Sequence, residues 1–132
     1  MNSLNSSDSA PDFDPAEIMS LPMIADGSEP DLADQLFDLY VDGTRTLLDA
    51  IDHAFREGDH DVLLRSVHTI KSSAGRIGAK ALCVEAERQE HLLRSGASAE
   101  ASWPGRLRER YDRSAQALAA YRQTARVGGG AQ

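Results

Sequence analysis

Between Asp59 and Gly78 the chain sets an apolar residue on every turn of a helix: Leu63, Val67, Ile70, Ala74 and Ile77. Steps of three and four residues bring all five side chains to one face of an α-helix, whereas a strand would scatter them to opposite faces. Asp59 is suited to accept first-turn amides as an N-cap, and Gly78 to end the helix. A single such segment cannot bury its stripe alone, so the chain must supply partners for it.

Three further segments share this grammar. From Pro30 to Glu57, Leu32, Leu36, Leu39, Gly43, Leu47, Ala50 and Ala54 form a stripe, widened by Tyr40, Ile51 and Phe55. Gly43 in its middle costs about 1 kcal/mol relative to Ala and marks a bend or a close helix contact. Gly58 is the expected C-cap. Ala79 to Ser95 presents Leu82, Ala86 and Leu93, with Gly96 just beyond. Ser102 is placed to cap a last helix with Pro104 in its first turn, and the stripe there is Leu107, Tyr111, Ser114, Leu118 and Tyr121.

No segment alternates with period two over a useful length, and aromatic content of only 5% disfavours a β-sandwich. The expected fold is all-α: an antiparallel four-helix bundle over residues 30–126. Before it, residues 1–29 form an acidic tail, in which Ser, Asn, Asp and Pro dominate the first fourteen residues and predict a disordered head. The piece PAEIMSLPMIADG then offers one or two docking turns, a short extra N-terminal helix, with Pro15 able to open it and Pro22 expected to break it. Residues 127–132, ending in GGGAQ, read as a disordered C-terminal end.

Charge is distributed unevenly. Seven acidic residues and no Lys or Arg occupy positions 1–31, so the net charge of −7 resides there, and the rest balances 14 acids against 14 bases. No basic face emerges to neutralise a phosphate backbone, which argues against nucleic-acid binding. No stretch approaches the roughly 20 apolar residues of a membrane span. The N-terminal stretch lacks the basic start and apolar run of a secretory signal, and Cys83, the lone cysteine, fits a reducing compartment. A cytoplasmic location is expected.

His68 follows Val67 and is therefore rotated by about 100° from the buried stripe, onto the flank or outside of the bundle. Lys71 at i+3 and Ser72 at i+4 are the positions whose side chains meet one at i, and Gly75 at i+7 continues the row. A neutral imidazole is a good nucleophile near pH 7. If it accepts a phosphoryl group, roughly two negative charges appear on the helix surface. Lys71 offers a cation to hold them, and small residues at Ser72 and Gly75 leave room for another protein's active site.

The stretch His68-Thr69-Ile70-Lys71-Ser72, with Gly78 ten residues after the histidine, resembles the signature of histidine phosphotransfer (HPt) domains of two-component phosphorelays. That signature reads roughly H-x-L-K-G with a second glycine at this distance; here Ile replaces Leu and Ser replaces the first Gly. The segment LLDAIDHAFREGDHDVLLRSVHTIKSSAGRIGAKAL is similar to the family's second helix, acidic turn and phosphoacceptor helix in order. The likeness runs from about Asp31 to Ser95, and reaches the final helix only by pattern.

The resemblance implies a monomeric helical bundle that shuttles a phosphoryl group between aspartates of response-regulator receiver domains, with a hybrid sensor histidine kinase upstream. By position, His68 would be the phosphoacceptor, Lys71 the charge-balancing neighbour, and Ser72 the small residue beside the ring. No cofactor is implied for the chain itself, since Mg²⁺ belongs to the partner receiver. A kinase dimerisation domain is disfavoured, because Thr69 stands where such domains have an acidic residue and no Gly-rich phosphate loop follows. Ser72 keeps open an alternative, an interaction module that docks a receiver and transfers nothing.

The remaining candidates have plainer readings. Glu90 could hydrogen-bond His68, and Gln89 beside it occupies a position often apolar in the family. His53, His60 and His91 read as surface residues, and the paired Glu-x-x-His motifs of a metal bundle are lacking. Cys83 should pack as a small apolar group. Trp103 reads as a cap on the bundle end, and Arg106, Arg108, Arg110 and Arg113 as a solvated face rather than a docking patch.

Overall fold

A computed structural model of the chain describes residues 9–96 and 102–130, with side chains through residue 125. Among the described residues there are six helices and no strand: α1 (Ala16–Met19), α2 (Pro22–Ala25), α3 (Leu32–Glu57), α4 (His60–Ile77), α5 (Lys80–Ser95) and α6 (Trp103–Gly130). The four long helices close a ring, α3 on α4, α4 on α5, α5 on α6, and α6 back on α3. Residues 1–8 of the expected disordered head, and residues 131–132 at the other end, lie outside the described residues.

Local signals set the helix limits. Asp59 Oδ1 accepts from the Val62 amide at 3.2 Å, while Gly58 takes the left-handed conformation (φ 71°) that ends α3. The expected α4 stripe is buried at every position, and so are Leu82, Ala86 and Leu93 of α5. In α6, Leu107, Tyr111, Ser114 and Leu118 are buried, and the helix continues through Gly130, past the point where a disordered end was expected. Extending a formed helix adds a hydrogen bond per residue without a new nucleus. Ser102 precedes α6 as expected, but its hydroxyl takes the Arg106 guanidinium at 2.9 Å.

The α3 stripe is displaced from the expected one. Phe37, Tyr40, Thr44, Leu48, Ile51 and Ala54 are buried, whereas Leu39 is 70% exposed and Gly43 lies in the open. This helix carries apolar residues on more than one face, so periodicity alone fits two rotations. Tertiary partners choose between them: Tyr40 bonds Ser114 of α6 at 2.6 Å, and Tyr111 of α6 donates to the Val41 carbonyl at 3.1 Å.

The N-terminal segment departs further from expectation. Pro22 breaks the segment as expected and also opens α2, so the docking piece forms two single turns. Ile18 is buried under them. From Pro11 to Asp14 the expected disordered head is docked. The Asp14 amide donates to the Gly78 carbonyl at 2.8 Å, and the Ala81 amide donates to Pro11 at 2.9 Å. Phe13 stacks edge-on against Phe37 and tilts onto Tyr121, each at 5.7 Å between ring centres. One aromatic anchor and two backbone bonds hold a segment whose composition could not fold alone.

Of the α6 arginines expected on a solvated face, Arg113 is exposed and pairs with Glu109 of its own helix, whereas Arg106 and Arg108 reach other helices. Arg108 reaches Asp52 at 2.8 Å and Asp49 at 3.1 Å, and Arg122 reaches Asp38 at 2.9 Å and Asp34 at 3.1 Å, so both tie α6 to α3. Arg106 lies 3.6 Å from the buried Glu85 of α5. Trp103 closes the bundle end as expected, buried and edge-on to Phe55 at 5.8 Å. Among the described residues no helix is long and apolar enough to cross a membrane.

Candidate functional site

His68 sits a little over two turns into α4, one position past the buried Val67, and its side chain is 51% exposed. Its position follows from the stripe: with Leu63, Val67 and Ile70 turned inward, the next residue round must emerge at the edge of the α4–α5 seam. Across that seam stands Glu90 of α5, whose side chain is only 6% exposed.

Three side chains converge on this carboxylate. His68 Nδ1 lies 2.7 Å from Oε2, Lys71 Nζ lies 2.7 Å from Oε1, and Arg94 places Nη2 at 2.8 Å and Nε at 3.1 Å from Oε2. The Lys71 ammonium, with help from Arg94 and His68, outweighs burial and holds the Glu90 carboxyl down at about 2. The same bond to Glu90 lifts the Lys71 ammonium above its ordinary range.

An ionised carboxylate can only accept hydrogen bonds. Glu90 therefore requires His68 to donate from Nδ1, and in the neutral ring the lone pair then belongs to Nε2. Among the described residues Nε2 has no hydrogen-bond partner. The arrangement thus presents an exposed, correctly tautomerised imidazole nitrogen, with its opposite edge braced against a fixed anion. A positive ring formed during attack on an electrophile would be stabilised by that anion.

The three residues picked from the sequence, His68, Lys71 and Ser72, fall on one surface of α4. Lys71 does not stand free as a cation; it is neutralised by Glu90. Ser72 is half-buried, and its hydroxyl makes no hydrogen bond among the described residues, unlike the hydroxyls of Thr69 and Ser73, which turn back to helix carbonyls at 3.0 and 3.4 Å. Gly75 does not clear space for a partner. A Cβ there would sit 3.3 Å from Cys83 Sγ, so this glycine lets α5 approach α4 closely.

Gly78 has a different task. It ends α4 at φ 100°, and a side chain on it would collide with the Asp14 backbone carbonyl, so the bare glycine is the seat of the N-terminal segment. Cys83 is half-buried, with its thiol pushed up by burial, which fits a packing role. Gln89 is buried and donates to Glu85 Oε2 at 2.7 Å, turned away from His68. His53, His60 and His91 are exposed, and the described residues hold no group of three or more His, Cys, Asp or Glu placed to hold a metal ion.

Arg94 was not foreseen. Its signal was available, since Glu90 and Arg94 stand at i and i+4 with the acid first, the better order for a helical ion pair. The contact of Glu90 with His68 was expected and is present; what could not be seen was that Arg94 would share the oxygen that meets the histidine.

The described residues thus form a helical bundle with a braced, half-exposed histidine on its second long helix. The model of the Hpt domain family matches residues 35–123, and the chain belongs to that family. Hpt domains serve phosphotransfer in two-component signalling as phosphocarrier modules, not kinases, and interact with receiver domains and kinases. A comparison with curated proteins and one with solved structures gave no match.

Proposed function

We propose that this chain is a phosphocarrier in which His68 accepts a phosphoryl group from the aspartyl phosphate of a receiver domain, or of a hybrid sensor kinase's receiver, and passes it to a response regulator. The lone pair of Nε2 attacks phosphorus in line with the aspartyl oxygen. The P–O bond breaks, its electron pair leaves on the aspartate carboxylate, and an N–P bond forms. The ring keeps its Nδ1 proton against Glu90, and reversal of the same step delivers the group onward. The chain needs no cofactor of its own, acts as a monomer with residues 30–126 as its working unit, and works in the cytoplasm.

The observation that carries this reading is the 2.7 Å contact of Nδ1 with an ionised, buried carboxylate. Phosphoryl transfer asks mostly for positioning and charge stabilisation, and a rigid helix pair supplies both. Beside the α4 row lies an apolar hollow of 430 Å³, lined in part by Ser73 and Arg76 of α4, Leu36 and Leu39 of α3, and Ile18 and Leu21 at the N-terminus. With Leu39 of its lining exposed, it fits the partner that must close over His68.

The test is transfer of labelled phosphate from a phosphorylated receiver domain to the wild-type chain and to His68→Gln. Label on wild type alone, labile in acid and stable in base, is the expected result. Binding to the receiver with label on neither chain would overturn transfer and leave a docking module, the reading that Ser72 in place of the family glycine keeps open.

A further inference from the structure

Lys71, by its position one turn after His68, is the natural counter-charge for a phosphoryl group. Yet its ammonium is already spent on Glu90 Oε1 at 2.7 Å. The pair sums to zero, and a second cation completes the cluster: Arg94, reaching back from the last turn of α5, makes the group Glu90, Lys71 and Arg94 net positive by one charge.

Arg94 also differs from Lys71 in where it acts. Both of its bonds, from Nε at 3.1 Å and Nη2 at 2.8 Å, fall on Oε2, the oxygen that receives His68 Nδ1 at 2.7 Å. Lys71 holds the other oxygen. With Lys71 on Oε1 and only the exposed His68 ring on Oε2, carboxylate and ring can still turn together about the soft terminal torsion of Glu90. A donor pair from the same helix on Oε2 removes that freedom. The guanidinium fork is suited to this because its donors are fixed in one plane, whereas an ammonium is a point charge on a flexible stem.

We propose that Arg94 is a positioning residue for phosphoryl transfer: by clamping Glu90 Oε2 it fixes the acceptor that holds His68 as the Nδ1–H tautomer and thereby offers Nε2. The role rests on the reading of His68 as phosphoacceptor, but its structural half stands independently of it. The Arg94 side chain is 58% exposed, so its loss opens no cavity in the core. Glu90 retains Lys71 in its absence, which makes the expected effect one of orientation.

The experiment compares wild type, Arg94→Ala and Arg94→Lys by ¹⁵N-detected NMR of the His68 ring and by phosphoryl transfer from a phosphorylated receiver. In wild type the ring should be dominated by the Nδ1–H tautomer. Arg94→Ala should give a mixture of tautomers and a transfer rate lowered about tenfold, equivalent to about 1.4 kcal/mol, with receiver affinity unchanged. Arg94→Lys, which restores charge without the fork, should leave the tautomers mixed and recover transfer only in part.

A wild-type tautomer pattern in Arg94→Ala overturns the proposal whatever the rate does. Full recovery of both readouts in Arg94→Lys also overturns it, assigning the effect to charge alone. Should wild type show the Nδ1–H tautomer but accept no label, the phosphocarrier reading fails while the clamp is judged by the spectra alone. Thermal melts of all three chains report whether the bundle is intact.

Discussion

Replacing Glu90 by glutamine keeps the shape of the side chain and removes its charge, so the stability difference between the two proteins isolates the carboxylate. In the folded chain that group titrates at about 2, against an ordinary value of 4.5. One pKa unit is worth about 1.4 kcal/mol, so the full depression corresponds to about 3 kcal/mol. Solvent around the half-exposed His68 and Arg94 screens their share, which lowers the expected contribution to about 2 kcal/mol.

Because the folded value lies below the unfolded one, this stabilisation is fully present above about pH 4.5 and is lost as the pH falls towards 2. Urea unfolding of wild type and Glu90→Gln at a series of pH values reads it directly. The gap should be about 2 kcal/mol at neutral pH, constant down to about pH 5, and should then close as acid protonates the wild-type carboxyl. Contributions common to both proteins cancel in the difference. A gap that is absent at neutral pH, or that does not change with acid, would refute the assignment of Glu90 as an ionised anchor.

Two further outcomes test the framework around the site. Gly78→Ala must place a Cβ at φ 100° and against the Asp14 carbonyl, so it should cost about 2–4 kcal/mol in urea unfolding; a loss below about 1 kcal/mol would show that the N-terminal segment does not seat there. Leu39→Asp changes a side chain that is already 70% exposed, so stability should stay within about 0.5 kcal/mol while receiver affinity falls at least about tenfold. Unchanged affinity by calorimetry would remove the hollow beside α4 from the docking surface.

Most of the bundle was legible because its signals are local. The Asp59 cap, the glycine stops at Gly58 and Gly78, and the clean stripe of α4 each depend on a few neighbouring residues, and α4 formed where they indicated. His68 was placed on the flank by the same rule, since a single clean stripe fixes the rotation of every residue on the helix. Lys71 and Ser72 followed from helical neighbourhood. In α3 the rule weakened, because Leu39 and Phe37 both qualified as core by type and only the contacts with α6 and Phe13 decided between them.

What the sequence determined by itself, then, was the set of helices and the exposure of His68, because caps and periodicity act within one or two turns. The tertiary structure alone decided the chemistry around that histidine. Glu90 lies 22 residues away and meets it only through the axial offset and mutual rotation of α4 and α5, which the close approach at Gly75 and Cys83 helps set. The same packing gave Lys71 a partner, brought Arg94 onto the shared oxygen, and seated Phe13 between Phe37 and Tyr121. Contacts between distant segments depend on how whole helices fit, and no local run of residues carries that information.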